Sequence, residues 1–542
     1  MDKRIQSSAK TFILIVILAL GFMLRSYNLN FPSIGYHNMK ENEYLSMAQE
    51  MKAGGDLVTR RVYFYDAFEE EPRMKLYPQP PLISYQILAS WKLLGENIWG
   101  ARLGNVLFAV VSILVMYYIA LLLFANTALA LFCAFLLAVM PLAVFFSRNL
   151  QPESPAFFFM LLGNLFYLRY VLSLKKCHLL LGGFSFSIAW LYKFSFLIGA
   201  LPFLFCFPVK SICKNKKEIF KNLLAAFLPF LVIIFAVVWL KRTGLWLWDA
   251  QVLKRIQLWE IFTLTYWEKY AVIIWRYIYM ENFTLLFVVL ALSGILLAFF
   301  KRRGLLNRYI IGWAFSAIFY CMIFSDFINQ HNYYQMPFLA LVCVSIVYAV
   351  SAIPETVMIK NIPKAYFLLF LVVGIMGVSA PFVYNATARM YGTVFLGLDV
   401  AGESLREFTE SKERIFLLTH SQGKGIARYA RRFAGWEDTL EGFKDKEKRF
   451  NIRYACFYPA EFALSLKANN PLLFEYIQNN YHVKEVGLTE EPSQLYYLIV
   501  EKGKGSDPET FLQSFSGARQ LRTIYKLFGK LVFLYTLRPP AE

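Results

Sequence analysis

Four groups of polar side chains stand at the edges of apolar runs in this 542-residue chain. The first lies in "GYHNMKENEYLSMAQEM", Gly35 to Met51, and holds Lys40, Glu41 and Glu43 just past the first long apolar run. At helical spacing Glu41, Tyr44 and Ala48 share a face, and Glu43 points from another side of the same turn. A carboxylate here can serve as a general base or hold a metal, provided it is positioned and not fully solvated. The bland role for it is an acid favoured by the dipole at a helix N-terminus.

The second group is "FFSRNLQPESPAFFF", where Arg148 ends one apolar run and Glu153 begins the next. Charges so close to an apolar boundary are costly unless they are paired or used. Arg148 suits a phosphate, and Glu153 suits a metal or the orientation of a substrate; the alternative is a local Arg–Glu pair with Pro-Glu opening a helix. Lys193, in "IAWLYKFSFLIGALP", interrupts one long apolar run. A lipid phosphate is its natural partner, and snorkelling to the interface is the competing role. The fourth group, "FINQHNYYQMPFLAL", places His331, Asn332, Tyr333 and Tyr334 at a helix start, where a sugar or metal contact competes with an aromatic belt.

The elements that must position these groups are membrane helices. The chain is 58% hydrophobic and 18% aromatic, with only 17% charged residues, and its mean hydropathy is +0.45. That composition makes it a polytopic α-helical membrane protein, because lipid leaves helices as the economical way across. About eleven runs approach the ~20 residues a bilayer needs. They begin near Thr11, Asn97, Asn126, Ser154, His178, Phe194, Phe220, Phe283, Tyr309, Tyr333 and Ala365. The basic start and first apolar run resemble a signal sequence without a small-x-small cleavage site, so they read as an uncleaved first helix.

The net charge is +19, but most of it flanks membrane segments, which argues against nucleic acid as a partner. Lys175 and Lys176, Lys301 to Arg303, and Lys360 fall in alternate loops, which places the N-terminus in the cytoplasm. Seven cysteines offer no CxxC pair and no disulfide framework.

Three outside segments are long. The first loop, 31–96, carries the acidic helix and then "YPQPPLISYQILASWKLLG", which reads as an interfacial helix behind a double proline. The second, Gly244 to Asn282, mixes Trp and Tyr with Lys and Arg and also reads as interfacial. The third is a small extracytoplasmic α/β domain, 386–542. Its strand-like pieces are "RIFLLTH", "RYACFYP" and "LYYLIVEK"; its helix-like pieces are "GKGIARYARRF", "NPLLFEYIQNNY" and "PETFLQSF". Residues 1–385 form the membrane domain. Within "FLLTHSQGKGIARYA", Thr419 to Gly423 resembles a nucleophile elbow, with Asp438 or Asp445 and then His482 in hydrolase order. Thr419 occupies the place of the glycine that such a turn wants, so a plain strand-to-helix turn is the better reading.

Taken in order, "KENEYLSMAQEM", "YPQPPLISYQ" followed by "GARL", "SRNLQPE" and "HNYYQMPFLAL" resemble the membrane glycosyltransferases with the GT-C fold. The resemblance is to bacterial glycosyltransferase family 39, relatives of the protein O-mannosyltransferases and the lipid A aminoarabinose transferase. It spans roughly Thr11 to Asn385. It implies an inverting hexosyl- or pentosyltransferase that takes a sugar from a polyprenyl-phosphate donor of the undecaprenyl type. The acceptor would be a glycolipid, polysaccharide or protein at the outer face of the bacterial cytoplasmic membrane, and membrane lipids are the other partner.

The resemblance also implies roles for residues. Glu41 matches the second member of the family's Asp-Glu pair, and Lys40 stands where the Asp would be. In a related subgroup the acid falls on Glu43. Glu153 matches the second acid of the pattern and Arg148 its basic partner. Gln79 replaces a phosphate-binding lysine, a loss that Lys193 or Arg148 would offset. Lys40, Tyr44, Gln79, Arg148, Lys193, His331, Tyr333 and Tyr334 are the expected substrate contacts. Glu41, Glu153 and His331 are the expected ligands of a divalent metal, Mg2+ or Mn2+, and no nucleotide cofactor is expected.

Three other classes compete. A flippase of lipid-linked saccharides should show repeated halves and charges inside broken helices; here the charges cluster on one side. An oligosaccharide polymerase or ligase would move a preassembled glycan. A noncatalytic scaffold is the reading for which Lys40 speaks.

Overall fold

A computed structural model describes residues 3–55, 57, 61–64, 67–68, 80–209, 216–242, 256–301, 304–356, 363–419, 422–489, 494–505, 519–527 and 530–538. Gln79, Glu69 to Arg73, Leu245 to Arg255, His420, Ser421 and "PETFLQSF" lie outside the described residues. The chain forms two compact units: Met1–Leu29 with Leu76–Met390, and Asn30–Lys75 with Tyr391–Glu542. The acidic stretch of the first loop therefore belongs with the C-terminal region.

The first unit is helical, and the chain is a multi-pass membrane protein. Among the described residues, seven helices are long and apolar enough to cross a bilayer, from Ser8–Ser26 to Tyr366–Gly392. A further pair, Leu264–Asn282 and Leu285–Lys301, is bent by 100°, and Thr127–Val139 and Phe194–Cys206 are shorter apolar helices. The segment behind the double proline forms the helix Leu82–Leu94.

Sequence explains the breaks. Asn126 caps the start of Thr127–Val139 through Ala128 and Leu129, and Pro141 opens the next turn. The carbonyls freed at that end are taken by buried Arg25, whose guanidinium donates to Leu137 O (3.0 Å) and Ala138 O (2.8 Å). Lys176–Tyr192 ends at Lys193, which adopts an extended backbone before a short 3-10 turn, Phe194–Ala200.

Gly294 marks a close helix crossing: an added Cβ would lie 2.0 Å from the Ser345 carbonyl oxygen. Small residues at such crossings let backbones approach. Gly294→Ala must push two backbones apart, so its expected cost is ~1–3 kcal/mol or more, read as a lower melting temperature in detergent.

The second unit is built on a seven-stranded sheet in the order β2-β1-β3-β5-β4-β7-β6. The strands are β1 Ile415–Leu418, β2 Ala434–Gly435, β3 Tyr454–Phe457, β4 Tyr481–Thr489, β5 Leu495–Lys502, β6 Gln520–Leu527 and β7 Lys530–Leu537. β1 is parallel to both β2 and β3, and the remaining pairs are antiparallel. Ile415 and Leu417 enter one core, Phe416 and Leu418 the other. A strand buried on both faces reads as a continuous apolar run, as "IFLL" does. First-loop residues join this unit through bridges Gly35 to Val394 and Phe64 to Ala434. Ile34, Tyr63 and Phe64 fill one of its cores.

Asp399 is buried in this unit and accepts a 2.5 Å hydrogen bond from the Tyr525 hydroxyl. Burial raises its pKa to about 6, against the lowering effect of Tyr525 and with a further push from Glu403. An acid raised on folding binds more protons in the native state, so its contribution to stability falls as pH rises from about 4 through about 6. Asp399→Asn should match wild type near pH 4, melt progressively higher than it between pH 4 and 6, and keep a constant lead above that.

Candidate functional site

In the second unit the first-loop helix Asn38–Lys52 is buried along most of its length, polar residues included. Its N-cap, His37, has a left-handed backbone and makes no side-chain cap bond. Neighbouring segments instead satisfy its polar groups. The Ser33 hydroxyl donates to Glu41 Oε2 at 2.6 Å. Asn42 donates to Ser33 O at 2.7 Å and accepts from Arg428 Nε at 3.0 Å. Asn38 donates to Gln422 Oε1 at 3.0 Å.

The two candidate acids are held differently. Glu41 is 4% exposed and takes a neutral hydroxyl. Glu43 is 1% exposed, and its Oε2 meets Lys424 Nζ at 2.6 Å and Lys40 Nζ at 3.4 Å. Burial alone would raise the Glu43 pKa; Lys40 and Lys424 outweigh it, and the net direction is down. Lys40 therefore neutralises Glu43 where the resemblance would place an acid. Tyr44 is buried on the same helix.

In the first unit the structure brings together Glu153, Lys193, His331, Tyr333 and Tyr334. Glu153 opens the helix Glu153–Ser173 and pairs through Oε1 with Lys193 Nζ. The ammonium lies 4.6 Å from the Tyr333 ring centroid and 4.2 Å from that of Tyr334, a cation–π cage. His331 stacks on Tyr333 at 5.0 Å. Glu153 is 1% and Lys193 8% exposed, and Glu153 Oε2 has no hydrogen-bond partner among the described residues. A bare buried carboxylate oxygen is costly, so it marks where a further donor belongs.

Arg148 occupies a positioning role in this unit: its Nη1 donates to Tyr27 O and Asn28 O, both at 2.7 Å. Asn105 fixes the same "SRNLQPE" segment by donating to Gln151 O at 2.9 Å, while the Ser154 hydroxyl donates to Asn105 O at 2.8 Å.

Several members escaped sequence reasoning. Lys424 and Gln422 lie some 380 residues from their partners on the first-loop helix, and no local pattern links them. Glu281, by contrast, carried a signal: it is an acid just before an apolar run, like Glu153. It is buried, accepts from Asn332 Nδ2 at 2.9 Å and pairs with Arg276 at 3.2 Å. Of the elbow-like residues, His482 stands on β4 beside Glu501 at 3.7 Å.

Among the described residues no three His, Cys, Asp or Glu side chains group as a metal site requires. Glu41 belongs to one unit, and Glu153 and His331 to the other.

Comparison with solved structures decides the fold. The chain matches the Archaeoglobus fulgidus oligosaccharyltransferase AglB, crystallised with an inhibitory peptide and a dolichol-phosphate, at 13% identity and TM-score 0.56, covering 91% of this chain and 74% of that one. It matches ArnT from Cupriavidus metallidurans in the apo state at 15% identity and TM-score 0.53, over 92% and 98% of the two chains. The same ArnT bound to undecaprenyl phosphate matches at 17% identity and TM-score 0.50, over 91% and 97%. The chain has the GT-C fold. Within this GT-C chain, residues 78–240 match the family model of dolichyl-phosphate-mannose-protein mannosyltransferases. No curated protein sequence matches it significantly.

Proposed function

We propose that this GT-C protein is a glycosyltransferase that moves a single sugar from a polyprenyl-phosphate donor to an acceptor at the outer face of the bacterial cytoplasmic membrane. The observation that carries the reading is Glu41. It is a buried carboxylate in the first turn of the first-loop helix, oriented by the Ser33 hydroxyl, in a chain whose fold is that of AglB and ArnT. Its neighbour Glu43 is already neutralised by two lysines.

Glu41 takes the proton from the acceptor hydroxyl or amine. The freed lone pair attacks the anomeric carbon, the bond to the phosphate oxygen breaks, and polyprenyl phosphate leaves, with inversion in a single displacement. Lys193, in the first unit, is a cation suited to a lipid phosphate; one of its three N–H groups is used by Glu153. The charge pattern of the loops puts the N-terminus inside and the C-terminal unit outside.

The test is release of free polyprenyl phosphate by purified protein in proteoliposomes. The liposomes carry polyprenyl-phosphate sugars, a membrane extract supplies acceptors, and the assay runs with and without Mg2+ or Mn2+. Acceptor-dependent release with one donor supports the reading. No release with any donor, with or without metal, moves the assignment to transport or scaffolding.

A further inference from the structure

Inside the second unit a cavity of about 350 Å³ opens at the carboxyl ends of β1 and β3. Its place follows from topology. The chain leaves β1 through the helix Gly423–Ala430 to β2 on one side, then returns through Leu440–Phe450 to β3 on the other. The two helices cover opposite faces: Ile426 and Ala427 join the core of Ile415 and Leu417, while Phe443 joins that of Phe416 and Leu418. The strand order therefore switches between β1 and β3, and open α/β sheets bind ligands in the crevice at such a point.

The lining names the chemistry. Thr419, Gln422, Glu461 and Gln494 bring a hydroxyl, two amides and a carboxylate to the cavity, and no lysine, arginine or histidine is among its described lining residues. Aromatic faces come from Phe395, Tyr458 and Tyr496. The Tyr458 hydroxyl is spent on Leu396 O at 3.0 Å, and the Tyr496 hydroxyl donates to Gln494 Oε1 at 3.1 Å, which leaves the Gln494 amide hydrogens as donors. Mixed amide and carboxylate groups beside ring faces match a sugar, which has hydroxyls around its rim and an apolar C–H face. The volume is at the small end for ligand cavities, which suits a short glycan terminus.

We infer that this cavity is a saccharide-binding site that holds a terminal sugar of the acceptor. The ligand class follows from the lining; its assignment as acceptor rests on the transferase reading above. Gln422 gives the acceptor assignment its second support. It lines the cavity and also accepts the hydrogen bond from Asn38, on the first turn of the helix that carries Glu41. The cavity and the base thus share one unit and one hydrogen-bonded link.

The experiment is saturation-transfer NMR on the full chain in nanodiscs, without donor. The probes are methyl glycosides of glucose, mannose, galactose and N-acetylglucosamine, with AMP as the anionic comparison. At least one glycoside should receive saturation and AMP none. Binding should weaken roughly tenfold in Glu461→Gln and in Tyr496→Ala, the loss of about one hydrogen bond or ring contact. The surface change Glu475→Gln should leave it unaltered. Glu461 is exposed, so its variant tests the site without a folding defect. No saturation of any glycoside, stronger saturation of AMP, or equal binding in both cavity variants overturns the proposal. Because binding is read without donor, glycoside binding that maps to the cavity while polyprenyl phosphate release fails would keep the saccharide site and remove the transferase reading. Release without glycoside binding would remove the cavity alone.

Discussion

Glu41→Gln should leave the chain folded and lower sugar transfer by roughly 10²–10⁴-fold, the range a positioned general base supplies. The substitution keeps the shape, and its amide oxygen still accepts the Ser33 hydroxyl that now bonds Glu41 Oε2. It removes only the ability to take a proton. The expected signature is a fall in kcat with the donor KM little changed, measured as polyprenyl phosphate release beside a melting curve. Glu43→Gln should invert this pattern. The buried Lys424 would lose its ion pair with Glu43, so the melting temperature should drop while the residual folded protein keeps most of its kcat. Equal activity of Glu41→Gln and wild type would take the base role from Glu41.

The contrast between these glutamates shows what the sequence could and could not say. Both were legible as acids at helical spacing beside the first apolar run, and the helix forms where that spacing puts it. Their difference was not legible, because the cation that settles it, Lys424, comes from a helix packed on the far C-terminal sheet. Likewise "RIFLLTH", "RYACFYP" and "LYYLIVEK" became β1, β3 and β5, since runs buried on both faces are apolar throughout. β4, β6 and β7 were missed: "YHVKEVGLT" and "QLRTIYKL" carry charged residues that only pairing with neighbours turns outward or neutralises, as Glu485 is by Arg538. Arg148 was legible as a functional-looking charge, yet its place is set by backbone carbonyls at Tyr27 and Asn28, groups that no side-chain pattern displays. Lys193 was legible because a lysine inside an apolar run must find a partner.

That partner yields the second large effect. Lys193→Met leaves Glu153 buried without its counter-charge, and breaking a buried pair from one side costs about 3–5 kcal/mol. The double variant Lys193→Met with Glu153→Gln removes both charges, so most of that stability should return. Function should not return with it. If Lys193 neutralises the donor phosphate, the double variant folds normally but binds donor weakly, and its donor KM stays high. If the pair is only structural, the double variant recovers both the melting temperature and the donor KM. The two readouts therefore separate a cation used in chemistry from one that merely balances an acid. The bare Oε2 of Glu153 bears on which result to expect. A buried carboxylate oxygen left without a donor has room for one more hydrogen bond, which a bound substrate would supply beside the Lys193 ammonium.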